Sequence, residues 1–211
     1  MLPRFYPIVP DAAWVERLAR AGARIIQLRM KEKPESEVTT AVFRALACCR
    51  AFGAVLVVND YWRAAVDAGA SFVHLGQGDL ETADVPALRR SGIKLGISTH
   101  SHEELDTALR YDPDYVALGP IYETTLKAMP WAPQGLARIG EWKALARRPI
   151  VAIGGISLER APLVFGAGAD CIAVVSDVVA NADPEGRTRA WLRFANAHLP
   201  APPEEGEGGT G

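Results

Sequence analysis

Seven short polar segments of this chain each follow directly on a run of apolar residues. They contain arginine, lysine, asparagine, aspartate and paired glycines, which are the residues that bind phosphates and divalent cations. The carboxyl ends of the strands in a parallel barrel lie on one face, so such segments would surround a single pocket. The segments are QLRMK (27–31), ND (59–60), GQGD (76–79), Ser98, TTLK (124–127), IGGIS (153–157) and VVS (174–176).

The first segment places three polar side chains on one side of an extended backbone. Gln27, Arg29 and Lys31 alternate with Leu28 and Met30, so all three can point into the pocket together. Two cations on one inward face are costly to hold without an anion, which favours a phosphate site. The alternative for an isolated Arg-x-Lys pattern is a rim of salt bridges.

Two aspartates follow neighbouring strand-like runs. Asp60 comes after Asn59 at the end of the third run, and Asp79 follows the fourth. Mg²⁺ is commonly held by one or two carboxylates together with water and substrate phosphate oxygens. The pair predicts a Mg²⁺–diphosphate site, with helix capping by Asn59 and Asp60 as the alternative.

The segments after the last two runs suggest a second anion site. Gly154, Gly155 and Ser157 are expected to turn straight from a strand into a helix, where backbone N–H groups meet a phosphate. Val175 and Ser176 occupy the matching position after the eighth run. These two loops are the recurrent phosphate site of a (β/α)8 barrel, although paired glycines alone also fit an ordinary tight turn.

The three remaining histidine and cysteine patterns favour structural roles. His100 and His102 do not share a helix face, so they do not predict a zinc site, and His74 is expected to be packed within a strand. Three cysteines without ligand spacing indicate reduced structural thiols.

Eight runs rich in Val, Ile and Leu alternate with helix-period segments, which predicts a single-domain α/β (β/α)8 TIM barrel. A doubly wound open sheet is the competitor, but it usually carries its glycine-rich loop after the first strand rather than the seventh. The predicted strands are 5–9, 24–28, 54–58, 72–75, 94–97, 115–119, 150–154 and 171–175. The predicted helices are approximately 11–22, 35–52, 61–69, 84–91, 101–110, 134–147, 157–167 and 184–198.

Length and charge limit the class of protein. The 211 residues fit one catalytic domain over 1–199, followed by a disordered tail at 200–211 that is rich in Pro, Gly and Glu. A formal net charge of −2 gives no general attraction to nucleic acid or anionic lipid. With no secretory or membrane-spanning pattern, the sequence predicts a cytoplasmic enzyme for small molecules, and a homo-oligomer is compatible with it. The long connection at 120–133 is expected to act as a mobile flap.

In their order along the chain, these segments closely resemble the thiamine-phosphate synthase (thiamine-phosphate pyrophosphorylase) family. The resemblance is carried by QLRMK, VNDYWRAA, FVHLGQGDL, LGISTH, the GPIY…T…K…APQGL segment, VAIGGISLERAP and CIAVVS. It implies a transferase that joins 4-amino-2-methyl-5-hydroxymethylpyrimidine diphosphate to thiazole ethyl phosphate and releases pyrophosphate, with Mg²⁺ as cofactor.

The resemblance also implies a role for each matching residue. Asp60 and Asp79 would hold Mg²⁺, and Arg29, Lys31, Ser98 and Lys127 would assist the chemistry. The pyrimidine diphosphate would be bound by Gln27, Arg29, Lys31, Asn59, Ser98 and Lys127. The thiazole phosphate would be bound by Thr124, Thr125, Gly155, Val175 and Ser176.

The chain departs from the family pattern in one loop. The family usually reads Pro-Thr-x-Thr-Lys, whereas this chain has Glu123, Thr124, Thr125, Leu126 and Lys127, so one hydroxyl is missing and a carboxylate is added. Two alternatives remain open. One is a thiazole tautomerase-like isomerase, which would not need the diphosphate residues, and the other is a non-catalytic binder of thiamine-pathway phosphates.

Overall fold

Eight parallel strands form a closed barrel in the computed structural model, which describes residues 2–124 and 131–197. The strands pair in chain order, and the first pairs with the last, with Phe5 opposite Ile172 and Pro7 opposite Val174. The bounds are β1 Phe5–Val9, β2 Ile25–Leu28, β3 Val55–Asn59, β4 Phe72–Leu75, β5 Lys94–Thr99, β6 Tyr115–Leu118, β7 Ile150–Ile153 and β8 Cys171–Val174.

Helices follow the strands and cover the outside of the barrel. The bounds are α1 Ala12–Arg20, α2 Glu35–Ala51, α3 Trp62–Ala68, α4 Gln77–Leu80, α5 Val85–Arg90, α6 His102–Leu109, α7 Gly135–Ala146, α8 Ala161–Gly166, α9 Ser176–Val179 and α10 Pro184–Ala197.

Alternation along each strand divides the buried residues into two layers. In β1, Tyr6 and Ile8 belong to the cluster that fills the barrel, whereas Phe5 and Val9 pack against the helices. Both faces of a barrel strand are buried, which explains why the strands read as nearly continuous apolar runs. The chemistry must therefore lie where the strands end.

The closed barrel confirms the predicted fold. It excludes the open sheet, because β1 and β8 would not pair with each other in an open sheet. The predicted strands and the longer helices agree with the structure to within a few residues. The four-residue helices α4 and α9 were not predicted, since one turn is too short to show a 3.6-residue period.

The predicted helix start at Ser157 is wrong. The backbone of Gly154 and Gly155 has positive φ angles of 97° and 64°, and α8 begins only at Ala161. Between them Arg160 N–H donates to the Ser157 carbonyl, which closes a turn rather than a helix. The glycines thus lead into a loop at the barrel mouth.

Two predicted segments lie partly or wholly outside the described ranges. The flap predicted at 120–133 is described only at its ends, where Ile121 N–H donates to the Ile153 carbonyl and Gln134 N–H to that of Pro120. The tail predicted at 200–211 lies outside these ranges, so the 1–199 domain boundary stays a prediction. Within the described part, no helix combines the length and apolarity needed to cross a membrane.

Gly96 leaves room for a buried tyrosine, which yields a test of the interior packing. A Cβ at Gly96 in β5 would lie 2.0 Å from Tyr115 Cζ, and the fully buried ring has no space to withdraw. We expect Gly96→Ala to lower the free energy of unfolding by about 2 kcal/mol or more, as overpacking does. Gly166→Ala in α8 is the matched control, because its Cβ would meet no atom within 4 Å. Equal stabilities of the two variants in urea denaturation would contradict this packing.

Candidate active site

A cavity of about 550 Å³ opens at the carboxyl ends of the barrel strands. The structure brings nearly all of the predicted site residues to its wall. Thr125 and Lys127 lie outside the described residues, so their positions stay predictions. The predicted residues that line the cavity are Gln27, Arg29, Lys31, Asn59, Asp60, Asp79, Ser98, Thr124, Gly155, Val175 and Ser176.

The basic side of the cavity is built on the end of β2. Gln27 is the last inward-facing residue of the strand, and Arg29 follows it, with its backbone N–H donating to the Val9 carbonyl. This bond continues the β1–β2 pairing past the end of β2. It holds Arg29 and Lys31 at the mouth, where both line the cavity as the alternating pattern predicted.

Asp60 and Asp79 form a close acidic pair beside these cations. Asp60 follows β3 with a positive φ of 64°, an uncommon conformation for a residue with a side chain. Asp79 lies in α4, where its Oδ2 accepts a hydrogen bond from Gly76 N–H at 2.9 Å. Neither Asn59 nor Asp60 caps the next helix, because α3 has no side-chain cap. The capping alternative is therefore wrong.

Burial and the neighbouring Asp79 carboxylate raise the pKa of Asp60 to about 6, while Arg29 opposes the rise. Two carboxylates held this close are stabilised by a cation that they share. Among the described residues no group of three or more His, Cys, Asp or Glu forms a metal cage. Mg²⁺ does not need one, because it keeps water ligands and takes others from substrate phosphates, so the pair fits this ion.

A chain of hydrogen bonds crosses the barrel interior below the cavity. Gln27 Nε2 donates to the Tyr6 hydroxyl at 2.9 Å, which lies 3.1 Å from the Tyr115 hydroxyl. Tyr115 Oη is 2.8 Å from His74 Nδ1, and His74 Nε2 is 2.8 Å from Ser98 Oγ. One continuous network therefore connects the ends of β2 and β5, both of which carry predicted substrate ligands.

Only the Gln27 bond of this network has a defined direction, because the amide N–H donates to the Tyr6 hydroxyl. Each hydroxyl can donate to or accept from its next neighbour, and either nitrogen of a neutral His74 ring can carry the proton. Burial, followed by the charge of Arg29, lowers the pKa of His74 to about 4, so the ring is neutral at neutral pH.

Sequence reasoning missed the contribution of three of these residues. His74 is packed within a strand as predicted, but it also lines the cavity, as do Tyr6 and Tyr115. Each stands at an inward position of its strand, among residues that are otherwise mostly apolar. A polar residue at an inward position near a strand end was the available signal.

The opposite side of the cavity consists largely of backbone. A Cβ at Gly155 would lie 2.4 Å from the Glu123 carbonyl oxygen, and one at Gly154 would lie 2.6 Å from Pro120 Cα. Only glycine allows the loop after β7 to pack this closely against the segment after β6. Val175 and Ser176 face the same space at the start of α9. This side of the cavity fits a site that binds phosphate through uncharged groups.

Comparison with known proteins shows which family this chain belongs to. Residues 6–178 match the family model described as thiamine monophosphate synthase. The chain belongs to this family. A thiamine-phosphate synthase of Rhizobium etli is 54% identical over 192 residues, which cover 90% of this chain and 94% of the relative. One of Salmonella paratyphi B is 50% identical over 191 residues, covering 90% of each chain.

A solved structure supports the same fold assignment. The thiamine phosphate pyrophosphorylase from Pyrococcus furiosus superposes with a TM-score of 0.81 at 26% identity, covering 92% of this chain and 96% of that one. A 3-hexulose-6-phosphate synthase with a TM-score of 0.65 and 19% identity shares the fold alone.

The two departures from the thiamine monophosphate synthase pattern differ in what the structure shows. Glu123 is exposed, and its carbonyl oxygen, rather than its side chain, lies against Gly155. The added carboxylate is therefore not enclosed in the phosphate side of the cavity. Leu126 lies outside the described residues.

His74 gives the stability of this family member a testable pH dependence. Its pKa is about 4 in the folded protein against an ordinary 6.5, so the unfolded chain binds more protons between these values. The stability contribution of neutral His74 is complete above pH 6.5 and is lost as the pH falls toward 4. Asp60, whose pKa is raised from 3.8 to about 6, acts in the opposite direction over that range.

Comparing the wild type with a His74→Gln variant separates the effects of His74 and Asp60. Asp60 is present in both proteins, so its effect on the stability difference largely cancels. We expect the stability advantage of the wild type over His74→Gln to shrink by about 2 kcal/mol between pH 7 and pH 5. Urea denaturation at both pH values measures it. His102→Gln is the control at an exposed position, and an advantage independent of pH would contradict a buried neutral His74.

Proposed function

We propose that this protein condenses 4-amino-2-methyl-5-hydroxymethylpyrimidine diphosphate with thiazole ethyl phosphate to give thiamine phosphate and pyrophosphate. The observation that carries the proposal is one cavity with a charged side and a glycine-rich backbone side, in a member of the thiamine monophosphate synthase family. One side offers cations and a carboxylate pair, and the other offers backbone. The substrates are small molecules, and we assign the reaction to the cytoplasm.

The basic side suits the pyrimidine diphosphate. Arg29 and Lys31 lie at the mouth to meet the diphosphate oxygens, while Gln27, Asn59 and Ser98 lie deeper and can bind the polar edge of the ring. Lys127, from the loop after β6, is assigned to the same diphosphate by its place in the motif. His74 holds Ser98 by its 2.8 Å hydrogen bond and thereby orients it toward this substrate.

Mg²⁺ is assigned to Asp60 and Asp79. When bound, it would supply a Lewis acid that neutralises diphosphate charge. The acidic pair also needs a counter-charge of its own, because burial and mutual repulsion raise the pKa of Asp60. The charge of Arg29 lowers the pKa of the same Asp60 carboxylate. Arg29 therefore offsets negative charge at the acidic pair as well as at the diphosphate.

The backbone side suits the thiazole phosphate, with Thr124, Thr125, Gly155, Val175 and Ser176 as its ligands. Backbone N–H and hydroxyl groups can bind a phosphate without bringing a competing charge near the reacting atoms. This arrangement places the second substrate across the barrel mouth from the diphosphate.

The chemistry then requires no protein nucleophile. The bond between the pyrimidine methylene carbon and the diphosphate oxygen breaks, and its electron pair leaves with the oxygen. The thiazole nitrogen gives its lone pair to the resulting carbocation and forms the new C–N bond. Arg29, Lys31 and Lys127 stabilise the charge that grows on pyrophosphate, and the walls align both substrates and exclude water.

The same observations favour the synthase over the two alternatives. An isomerase acting on a thiazole phosphate would not require the basic and acidic residues Arg29, Lys31, Asp60 and Asp79 on one side of the cavity wall. A non-catalytic binder would bind both substrates without releasing pyrophosphate. Incubation with both substrates and Mg²⁺ distinguishes them, and the absence of thiamine phosphate at every Mg²⁺ concentration would contradict the proposal.

The aspartate pair provides the sharpest mutational test. We expect Asp60→Asn and Asp79→Asn each to lower kcat/KM by about 100-fold or more, because charge neutralisation at a leaving group is a large catalytic effect. Asp60→Asn should not lower stability, since it removes a carboxylate whose pKa is raised by burial and by Asp79. Lys127→Ala should likewise lower turnover far more than stability.

Pyrophosphate release under saturating Mg²⁺ measures these effects, and thermal unfolding measures stability. The matched control is Asp67→Asn, which removes an exposed carboxylate from α3, the helix that follows Asp60. Near-normal rates for both Asp60→Asn and Asp79→Asn would refute the metal assignment.

A further inference from the structure

The phosphate side of the cavity consists of two separate loops, which must be held at a fixed spacing to bind one phosphate. We call them the cradle loops: residues 154–157 after β7 and residues 175–176 after β8. Each is followed closely by a carboxylate. Glu159 comes two residues after the first loop, and Asp177 directly follows the second. Neither carboxylate lines the cavity.

One guanidinium binds both carboxylates. Arg187 of α10 donates from Nε to Asp177 Oδ2 at 2.9 Å and from Nη2 to Asp177 Oδ1 at 2.8 Å. It also donates from Nη1 to Glu159 Oε1 and from Nη2 to Glu159 Oε2, both at 2.9 Å. Two bidentate pairs on one planar group fix the distance between its partners as well as their orientation.

The contacts continue on both sides of Arg187. Trp191 Nε1, also on α10, donates to Asp177 Oδ2 at 2.6 Å. Glu159 lies in the turn that follows the first cradle loop, which is closed by the bond from Arg160 N–H to the Ser157 carbonyl. The network therefore connects the turn after one cradle loop, through Arg187, to the residue next to the other loop.

Arg187 and Asp177 form the buried part of this network. Their side chains are 18% and 11% exposed, whereas those of the Arg17–Glu185 pair nearby are 43% and 33% exposed. Glu159 is 69% exposed, so solvent weakens its pair with Arg187, but the bidentate geometry still fixes the orientation of its carboxylate. Arg17 also connects to α10, but it does not reach either cradle loop.

We propose that Arg187 is a positioning residue that sets the spacing of the two cradle loops and thereby the affinity of the site for a phosphate monoester. This inference rests on the proposed function, which places the thiazole phosphate there. Arg187 does not line the cavity, and its charge is neutralised by the two carboxylates. It acts through the loops rather than on the substrate.

Steady-state kinetics of Arg187→Met with each substrate varied in turn tests the proposal. We expect the KM for the thiazole phosphate to rise about tenfold or more, as displacement of a positioned ligand by about 1 Å can cause. The KM for the pyrimidine diphosphate and the kcat at saturation should change less than about twofold, because Arg29, Asp60 and Asp79 follow β2 to β4 whereas the cradle loops follow β7 and β8. Arg187→Lys should fall between, since an ammonium cannot form two bidentate pairs.

Two further variants separate positioning from general stabilisation. Arg17→Met is the matched control, because it removes an ion pair between α1 and α10 but leaves the bonds of Arg187 to Asp177 and Glu159 in place, and its kinetics should equal those of the wild type. Glu159→Gln weakens only one of the two bidentate pairs, so it serves if Arg187→Met does not fold. It should raise the same KM by a smaller factor.

Calorimetric titration of the same proteins with inorganic phosphate makes the test independent of turnover. Loss of phosphate affinity in Arg187→Met but not in Arg17→Met supports the positioning role even if the wild type forms no thiamine phosphate, in which case only the proposed reaction fails. If the wild type forms thiamine phosphate, unchanged KM and phosphate affinity in a folded Arg187→Met would overturn the inference and leave the function intact. Equal increases in both KM values would also overturn it.

Discussion

The pairing of β1 with β8 is the constraint on which the site depends. It closes the ladder, so that all strands end at one mouth and residues far apart in the chain share a wall. Gln27 and Ser176 line the same cavity for this reason alone. In an open sheet the two edge strands would be separated by the width of the sheet, and the two phosphate sites would have no common space. Closure is thus what turns a succession of strand ends into a site for two substrates.

The polar network inside the barrel shows how the site is supported from below. Filling this position with apolar side chains would avoid the cost of burying hydroxyl and imidazole groups, but it would leave Gln27 and Ser98 without fixed partners. Tyr6 and Tyr115 meet that cost by bonding to each other and to neighbours at both ends. Gly96 provides the space that the Tyr115 ring occupies. Packing in one strand therefore determines the orientation of substrate ligands on two others.

The limits of sequence reasoning follow from the range of the interactions. The strands, and the residues at their ends, were predictable because both depend on local patterns of apolar and polar residues. The pair of Asp60 and Asp79 was predictable because both residues follow neighbouring strands closely. The bond between Tyr6 and Tyr115 joins residues 109 positions apart, and no local pattern specifies it. The late start of α8 depended on how Gly154 and Gly155 pack against another loop, which is also a tertiary effect.

In the proposed reaction, the two phosphate groups need different kinds of binding. The diphosphate gains negative charge as its bond breaks, so cations beside it bind the transition state better than the ground state and accelerate the reaction. The thiazole phosphate keeps its charge throughout, so a cation there would bind both states alike and would not lower the barrier of the chemical step. A neutral, well-positioned backbone site is sufficient. This difference explains why Arg29 and Lys31 line the cavity, whereas Arg187 lies behind the cradle loops with both of its charged partners beside it.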